Sequence, residues 1–253
     1  PISSVEVFEV SYTNIFFKIK RLIKTIFNSV SHLLFPHLCN GCGSDLINGD
    51  HLICLKCYQH LSETGFAALP NNPVEKALWG RLICNSAMSQ YYFTKDSLLQ
   101  QLIHQFKYKD NKELAHYFGT LMGATLQNSA RFQLPDALVP LPLFPDKENK
   151  RGYNQAALLC EGIAEVLRVP VLYNTVLRTR YTTTQTHKTR MERWQNVEGV
   201  FVCASNTELQ QKNVLLVDDV ITTGATIEAC GNAIIEDVRD VQLSIATLAY
   251  AAA

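Results

Sequence analysis

Asn213-Val-Leu-Leu-Val-Asp-Asp-Val-Ile-Thr-Thr-Gly-Ala-Thr-Ile227 decides the fold. Val214 to Val217 is a short apolar run, β-branched in part, of the kind expected for a parallel strand covered on both faces. Two carboxylates, Asp218 and Asp219, follow where such a strand is expected to end, and in open α/β sheets ligands bind in the crevice beyond the carboxyl ends of the strands. Thr222, Thr223, Gly224, Ala225 and Thr226 then set three hydroxyls and a glycine just ahead of a helical pattern from Ile227 to Ile235. Hydroxyls and free backbone N–H groups at a helix start favour an anion, and Gly224 lets the backbone approach it or adopt positive φ. Carboxylates beside a phosphate repel it unless they face something else, and the vicinal hydroxyls of a sugar are a natural partner. The local chemistry points to a ribose 5-phosphate site. Taken singly, paired aspartates after a strand are often solvated loop residues or a helix cap, and Thr-Thr-Gly is a common turn; the ordered combination is far more specific.

That combination resembles the phosphoribosyl-pyrophosphate (PRPP) signature of type I phosphoribosyltransferases. The resemblance implies that the two acids hold the ribose hydroxyls and the Thr/Gly loop holds the 5-phosphate, the same assignment that the local chemistry reached.

The chain of 253 residues is long enough for one large domain and a small one. Its formal net charge of zero excludes a global field drawing it to nucleic acid or anionic membrane. Local charge differs. Arg168, Arg178, Arg180, Lys188, Arg190 and Arg193 face a single acid, Glu192, within their segment, whereas acids dominate from Gln195 onward. A basic segment beside an acidic one suits a ligand with phosphates on one side and hydroxyls on the other. No run of apolar residues is long enough to span a membrane, and the first residues carry no signal-peptide pattern, so a cytoplasmic location with reduced cysteines is expected.

Three regions are expected: an extension with an amphipathic helix over residues 1–35, a metal-binding module over 36–70, and an α/β domain over 71–253. In the first, Phe16, Ile19, Leu22, Ile23, Ile26, Phe27 and Val30 recur at helical spacing opposite basic residues. Such a helix can lie on a membrane or touch nucleic acid, but packing on the rest of the protein is the expected role. In the second, Cys39-x-x-Cys42 and Cys54-x-x-Cys57 are separated by eleven residues. Four thiolates so paired suit a tetrahedral, structural Zn²⁺, with an iron–sulfur site as the residual alternative; a thioredoxin-like redox pair would want one C-x-x-C in a βαβ setting. Cys84, Cys160, Cys203 and Cys230 read as core residues.

After Pro70-Asn-Asn-Pro73, read as a linker, strands are expected over Ala87–Tyr92, Ala137–Val139, Pro170–Leu177, Phe201–Cys203, Val214–Val217 and Val241–Leu248. Helices are expected over Ser97–Phe106 and Glu113–Gln127, with another that follows Arg151-Gly-Tyr-Asn-Gln155 and runs to about Leu167. The alternation predicts a mostly parallel sheet with helices on both faces. Phe106-Lys-Tyr-Lys-Asp110 reads from chemistry alone as a solvated turn. The strand ending at Pro140-Leu141-Pro142, with the basic loop of Lys147, Lys150 and Arg151, makes a second, less specific anion site.

The full set of motifs is similar to the ComF family, which includes GntX: Leu34-Phe35-Pro36, the two C-x-x-C pairs, Phe106-Lys107-Tyr108-Lys109, Val139-Pro140-Leu141-Pro142, Arg151-Gly152-Tyr153-Asn154-Gln155, Leu177-Arg178-x-Arg180, Arg193 with Asn196, and Val217-Asp218-Asp219 through Thr226. One departure is Tyr153, where phenylalanine is more usual. The resemblance implies a type I phosphoribosyltransferase-like domain behind a zinc module, PRPP held with Mg²⁺, and action in the cytoplasm on incoming single-stranded DNA during natural transformation, with partners in the competence machinery. Asp218, Asp219 and Arg151 would be the catalytic positions, with Pro140, Leu141 and Arg151 on pyrophosphate. It also implies phosphate or DNA contacts for Lys107 and Lys109. Two readings stay open: a PRPP- and DNA-binding factor, whose backbone groove would use Lys107, Lys109, Arg178, Arg180, Arg190 and Arg193, and a transferase moving phosphoribose to an unidentified nitrogen acceptor.

Overall fold

The structure, a computed structural model, describes residues 38–45, 47, 51–179, 200–205 and 207–251. The helix expected before residue 36 lies outside them, as do Arg180, Tyr181, Arg190, Arg193 and Trp194. Two compact units meet in sequence between Leu55 and Lys56, within helix α1 (Leu55–Gln59).

From residue 56 onward the centre is a four-stranded parallel sheet of β1 (Ala87–Tyr92), β2 (Ala137–Pro140), β5 (Asn213–Ile221) and β6 (Gln242–Tyr250), in the order β1-β6-β5-β2. Successive strand residues point to opposite faces. Val214, Leu215, Leu216 and Val217 are all at most 1% exposed, so both faces of β5 are covered, as the unbroken apolar run requires. Helices α6 (Gln155–Leu167) and α7 (Ala225–Asp237) pack against β5, α6 also against β2, while α2 (Pro73–Leu78) packs against β1 and α4 (Lys112–Gln127) against β6, with α3 (Leu98–Tyr108) on α4. Among the described residues no helix is long and apolar enough to cross a membrane.

Three expectations are corrected. Phe201–Cys203 (β4) pairs antiparallel with Val176–Arg178 (β3) in a separate two-stranded sheet instead of extending the main one. Their exposed Val202 and Leu177 suit a ladder with one wet face. The strand expected over Pro170–Leu177 otherwise contributes one bridge, Val171 beside Leu138. Pro70-Asn-Asn-Pro73 is a built helix start: buried Asn72 accepts from the Val74 and Glu75 amides and donates to the carbonyls of Leu69 and, at 2.8 Å, Ala87, while Pro73 takes the first helical position.

Helices α4 and α6 touch backbone to backbone. A Cβ on Gly162 would lie 2.1 Å from the His116 carbonyl oxygen, and one on Gly119 would lie 2.3 Å from that of Leu159. Both would strike main chain, which cannot swing aside. Gly162→Val is expected to cost about 3 kcal/mol, read as a lower urea midpoint at unchanged slope; a parental midpoint would show that the crossing tolerates separation.

Candidate functional site

The β5–β2 ladder ends at Val217–Pro140, closed by the Leu141 amide donating to the Val217 carbonyl (2.9 Å). On its other edge β5 continues against β6 through Asp218–Thr247, Val220–Ala249 and Ile221–Tyr250. The expected loop carboxylates are therefore strand residues. Apolar Val220 and Ile221 carry the strand onward, and one continuous neighbour is enough to hold it. The edge freed by the end of β2 opens into a cavity of about 170 Å³ lined by Asp218, Asp219, Thr226, Leu141 and a ring of cations.

Those cations are Lys107, Lys147, Arg151 and Arg178. Lys107 stands in the last turn of α3, where a cation also complements the helix dipole, and its Nζ lies 2.7 Å from Asp219 Oδ2. The solvated turn expected there is instead the end of a helix directed at the site, while Lys109 is its exposed C-cap. Lys147 and Arg151 are four apart on α5 (Pro145–Arg151), the spacing that places both on one face. Arg178 comes from β3 and lies over the Phe201 ring.

The Arg151-Gly-Tyr-Asn-Gln155 run resolves into separate jobs. Gly152, at φ 80°, ends α5; the Tyr153 hydroxyl donates to the Phe106 carbonyl, a bond that phenylalanine at this position would lack. Asn154 caps α6 by accepting from the Ala156 amide (2.9 Å) and donates to the Leu141 carbonyl (3.0 Å), tying the loop after β2 to the helix start. Gln155 Oε1 accepts from Arg151 at 2.7 Å and fixes the guanidinium.

Electrostatics inside the cavity oppose both signs of charge. Asp218 is pushed up to about 7, first by burial and then by Asp219, against the lowering effect of the Asp219 amide it accepts from (2.8 Å) and of Lys107 and Arg178. Burial, with Arg178, Arg151 and Lys107 nearby, lowers Lys147. Of the expected phosphate loop, Thr226 lines the cavity. Thr222 and Thr223 are exposed on the turn before α7, and Gly224 is its N-cap at φ 76°. Pro140 ends β2 as part of the wall's support, and Ala225 begins α7. Lys147 was visible in sequence only as one member of a basic loop, and Asn154 only as part of a motif.

The Sγ atoms of Cys39, Cys42, Cys54 and Cys57 all lie within 4.8 Å of one another, a group that could hold a metal ion. Cys42 and Cys54 are 3.7 Å apart, close to the edge of about 3.8 Å that a tetrahedron of 2.3 Å metal–sulfur bonds requires. The amides of Gly41 (3.3 Å) and Cys54 (3.2 Å) donate to Cys39 Sγ, as a thiolate ligand wants. The Asn40 amide and side chain both donate to Leu52 O, pinning the two knuckles together.

No model of a known protein family matches the chain. DNA utilization protein YhgH of Salmonella typhimurium is 30% identical over 211 residues, 77% of this chain and 89% of that one. The chain belongs to the ComF family. Another ComF relative, Competence protein F of Haemophilus influenzae, is 36% identical over 133 residues, 51% of this chain and 58% of that protein. Competence protein ComFC of Bacillus subtilis is 24% identical over 218 residues, 84% and 77% of the two. Among solved structures, adenine phosphoribosyltransferase from Leishmania tarentolae is similar at a TM-score of 0.38 and 11% identity, covering 75% of this chain and 94% of that one. A glutamine PRPP amidotransferase from B. subtilis gives 0.39 and 17%, covering 57% and 30%.

The raised Asp218 sets a pH signature. An unfolded aspartate titrates near ~3.9, so the folded state binds the Asp218 proton more tightly. The stabilisation this brings is complete below that value and is lost as pH rises through about 7. Asp218→Asn cannot ionise, so it is expected to gain on the parent across that window, with an advantage in unfolding free energy, measured by urea titration, larger at pH 8 than at pH 5 by on the order of 1–2 kcal/mol. Equal advantages at the two pH values would show that Asp218 ionises freely.

Proposed function

We propose that this protein binds PRPP in the cavity beside the free edge of β5 and acts in the cytoplasm on incoming single-stranded DNA during natural transformation. The observation that carries the reading is the meeting of Asp218, Asp219 and Thr226 with Lys107, Lys147, Arg151 and Arg178 in one cavity. A ligand that satisfies both sets needs hydroxyls for the carboxylates and several phosphate charges for the cations. Asp218 and Asp219 accept from the ribose hydroxyls. Thr222 to Thr226, through hydroxyls and the amides at the start of α7, hold the 5-phosphate. The Pro140-Leu141 turn, Lys147 and Arg151 hold the pyrophosphate. Mg²⁺ bound with PRPP would neutralise pyrophosphate charge, with Asp218 and Asp219 as the nearby oxygen donors.

The DNA role draws support from the relatives' names, two of them competence proteins and one a DNA utilization protein. Exposed Lys109 and the basic run Arg178, Arg180, Arg190 and Arg193 provide phosphate-backbone contacts of the sequence-independent kind, and competence-machinery proteins are the further partners on this reading.

Titration with PRPP and Mg²⁺ is expected to saturate, and the Asp218→Asn/Asp219→Asn double variant to bind at least ~10-fold more weakly; a thymidine oligonucleotide should bind at low salt and dissociate as salt rises. Undiminished PRPP binding by the double variant would remove the ligand assignment, and no oligonucleotide binding at low salt would remove the DNA assignment. Pyrophosphate release on adding a purine, pyrimidine or amine would extend the reading to phosphoribosyl transfer.

The thiolate cluster fits a structural Zn²⁺, since four sulfurs leave no open position for chemistry. Metal analysis of the purified protein is expected to find zinc, absent from a Cys39→Ser/Cys54→Ser variant. Iron in its place would reassign the site, and neither metal would end the assignment.

A further inference from the structure

We infer that Arg81, outside every motif of the sequence, is a positioning residue for the phosphate loop Thr222–Thr226, holding that loop from behind and neutralising an acid at the start of α7. The inference rests on the reading of this loop as a ribose 5-phosphate cradle. Arg81 follows α2 in a turn that lies along the first half of α7. Its guanidinium donates to the Thr223 carbonyl (2.8 Å) and to the Ala77 carbonyl (3.0 Å), and it pairs with the Glu228 carboxylate. Its own carbonyl accepts from the Asn232 side chain at 3.1 Å. Apolar contacts flank the charged ones. Leu78 reaches to 3.0 Å from where a Gly224 Cβ would stand, and Leu82 to 2.7 Å from where one on Gly231 would stand.

Two consequences follow from peptide geometry and charge. In a trans peptide the carbonyl and the following N–H point in opposite directions. With the Thr223 oxygen held by Arg81 on one side of the loop, the Gly224 N–H is directed to the other, and Gly224 keeps the left-handed φ of 76° that the turn needs. The second consequence concerns Glu228. A carboxylate in the first turn of α7 favours the helix dipole but opposes an anion bound at the same helix start. Pairing with Arg81 cancels that opposition while leaving the helix its acid. Glu228 is 14% exposed, so its charge is poorly screened without the partner.

The test is calorimetric titration of the full chain with ribose 5-phosphate and, separately, with inorganic pyrophosphate. Arg81→Ala is expected to lose about tenfold in ribose 5-phosphate affinity, the worth of one charge-assisted contact, and nothing for pyrophosphate, which answers to Lys147 and Arg151. Glu228→Gln added to Arg81→Ala should recover part of the loss, because the uncompensated charge is gone. Arg81→Lys should fall between, keeping the charge without the fork that reaches Thr223 and Glu228 together. Parental ribose 5-phosphate affinity in Arg81→Ala overturns the inference, as does an equal loss for both probes, which marks general damage. If the parent itself takes no ribose 5-phosphate, the cradle reading fails first and the inference falls with it.

Discussion

Strand β5 has two edges of different length, and the site depends on the difference. Against β2 the ladder stops at Val217; against β6 it runs on to Ile221. Had both continued, Asp218 and Asp219 would sit within a closed sheet with no room for a ligand. Had both stopped, the carboxylates would ride on a loop. One continuous ladder holds their backbone in register, and the missing one opens the crevice into which four cations are brought from three elements of structure, α3, α5 and β3. This is the general position of ligands in open α/β sheets, made here by the shortness of a single strand.

The cavity wall is in turn placed by a helix crossing far from it. Gly119 and Gly162 let α4 and α6 approach to backbone contact. That closeness sets the axis of α6, whose first residues carry the Asn154 cap and Gln155. Asn154 reaches the Leu141 carbonyl and Gln155 holds Arg151, so the loop after β2 and a cavity cation both take their positions from the start of α6. A substitution at the crossing would therefore be felt at the site through a rigid helix.

What could be read from sequence was whatever is encoded locally. The apolar run of β5, the paired acids, the Thr/Gly turn and the two C-x-x-C pairs announce themselves because each carries its chemistry within a few residues. The strand boundary was misplaced because Asp218 and Asp219 interrupt the apolar pattern without interrupting the ladder. Three-residue segments such as Phe201–Cys203 contain no register, so their antiparallel pairing with Val176–Arg178 could not be foreseen. Lys107 meeting Asp219, and Arg81 meeting Thr223, join residues more than a hundred positions apart. Neither contact leaves any trace in spacing or composition.

The charges of the cavity also explain why a ligand with one kind of group would be a poor fit. Burial disfavours ionised Asp218 and charged Lys147 alike, and like-charged neighbours add to each penalty. Lys107 offsets part of this by pairing with Asp219, which leaves a diol to compete with an ammonium for that carboxylate. An anion without hydroxyls relieves the cations and draws Lys107 away from Asp219, so the two acids face each other with less compensation. A sugar without phosphates gives the acids donors but leaves Lys147, Arg151 and Arg178 repelling one another. Only a molecule carrying both relieves both sets at once: the phosphates free Lys107 from its pairing as the hydroxyls take its place. On the proposed reading, selectivity for a phosphorylated sugar would arise from the coupling of the two charge sets through Lys107, more than from the shape of the cavity.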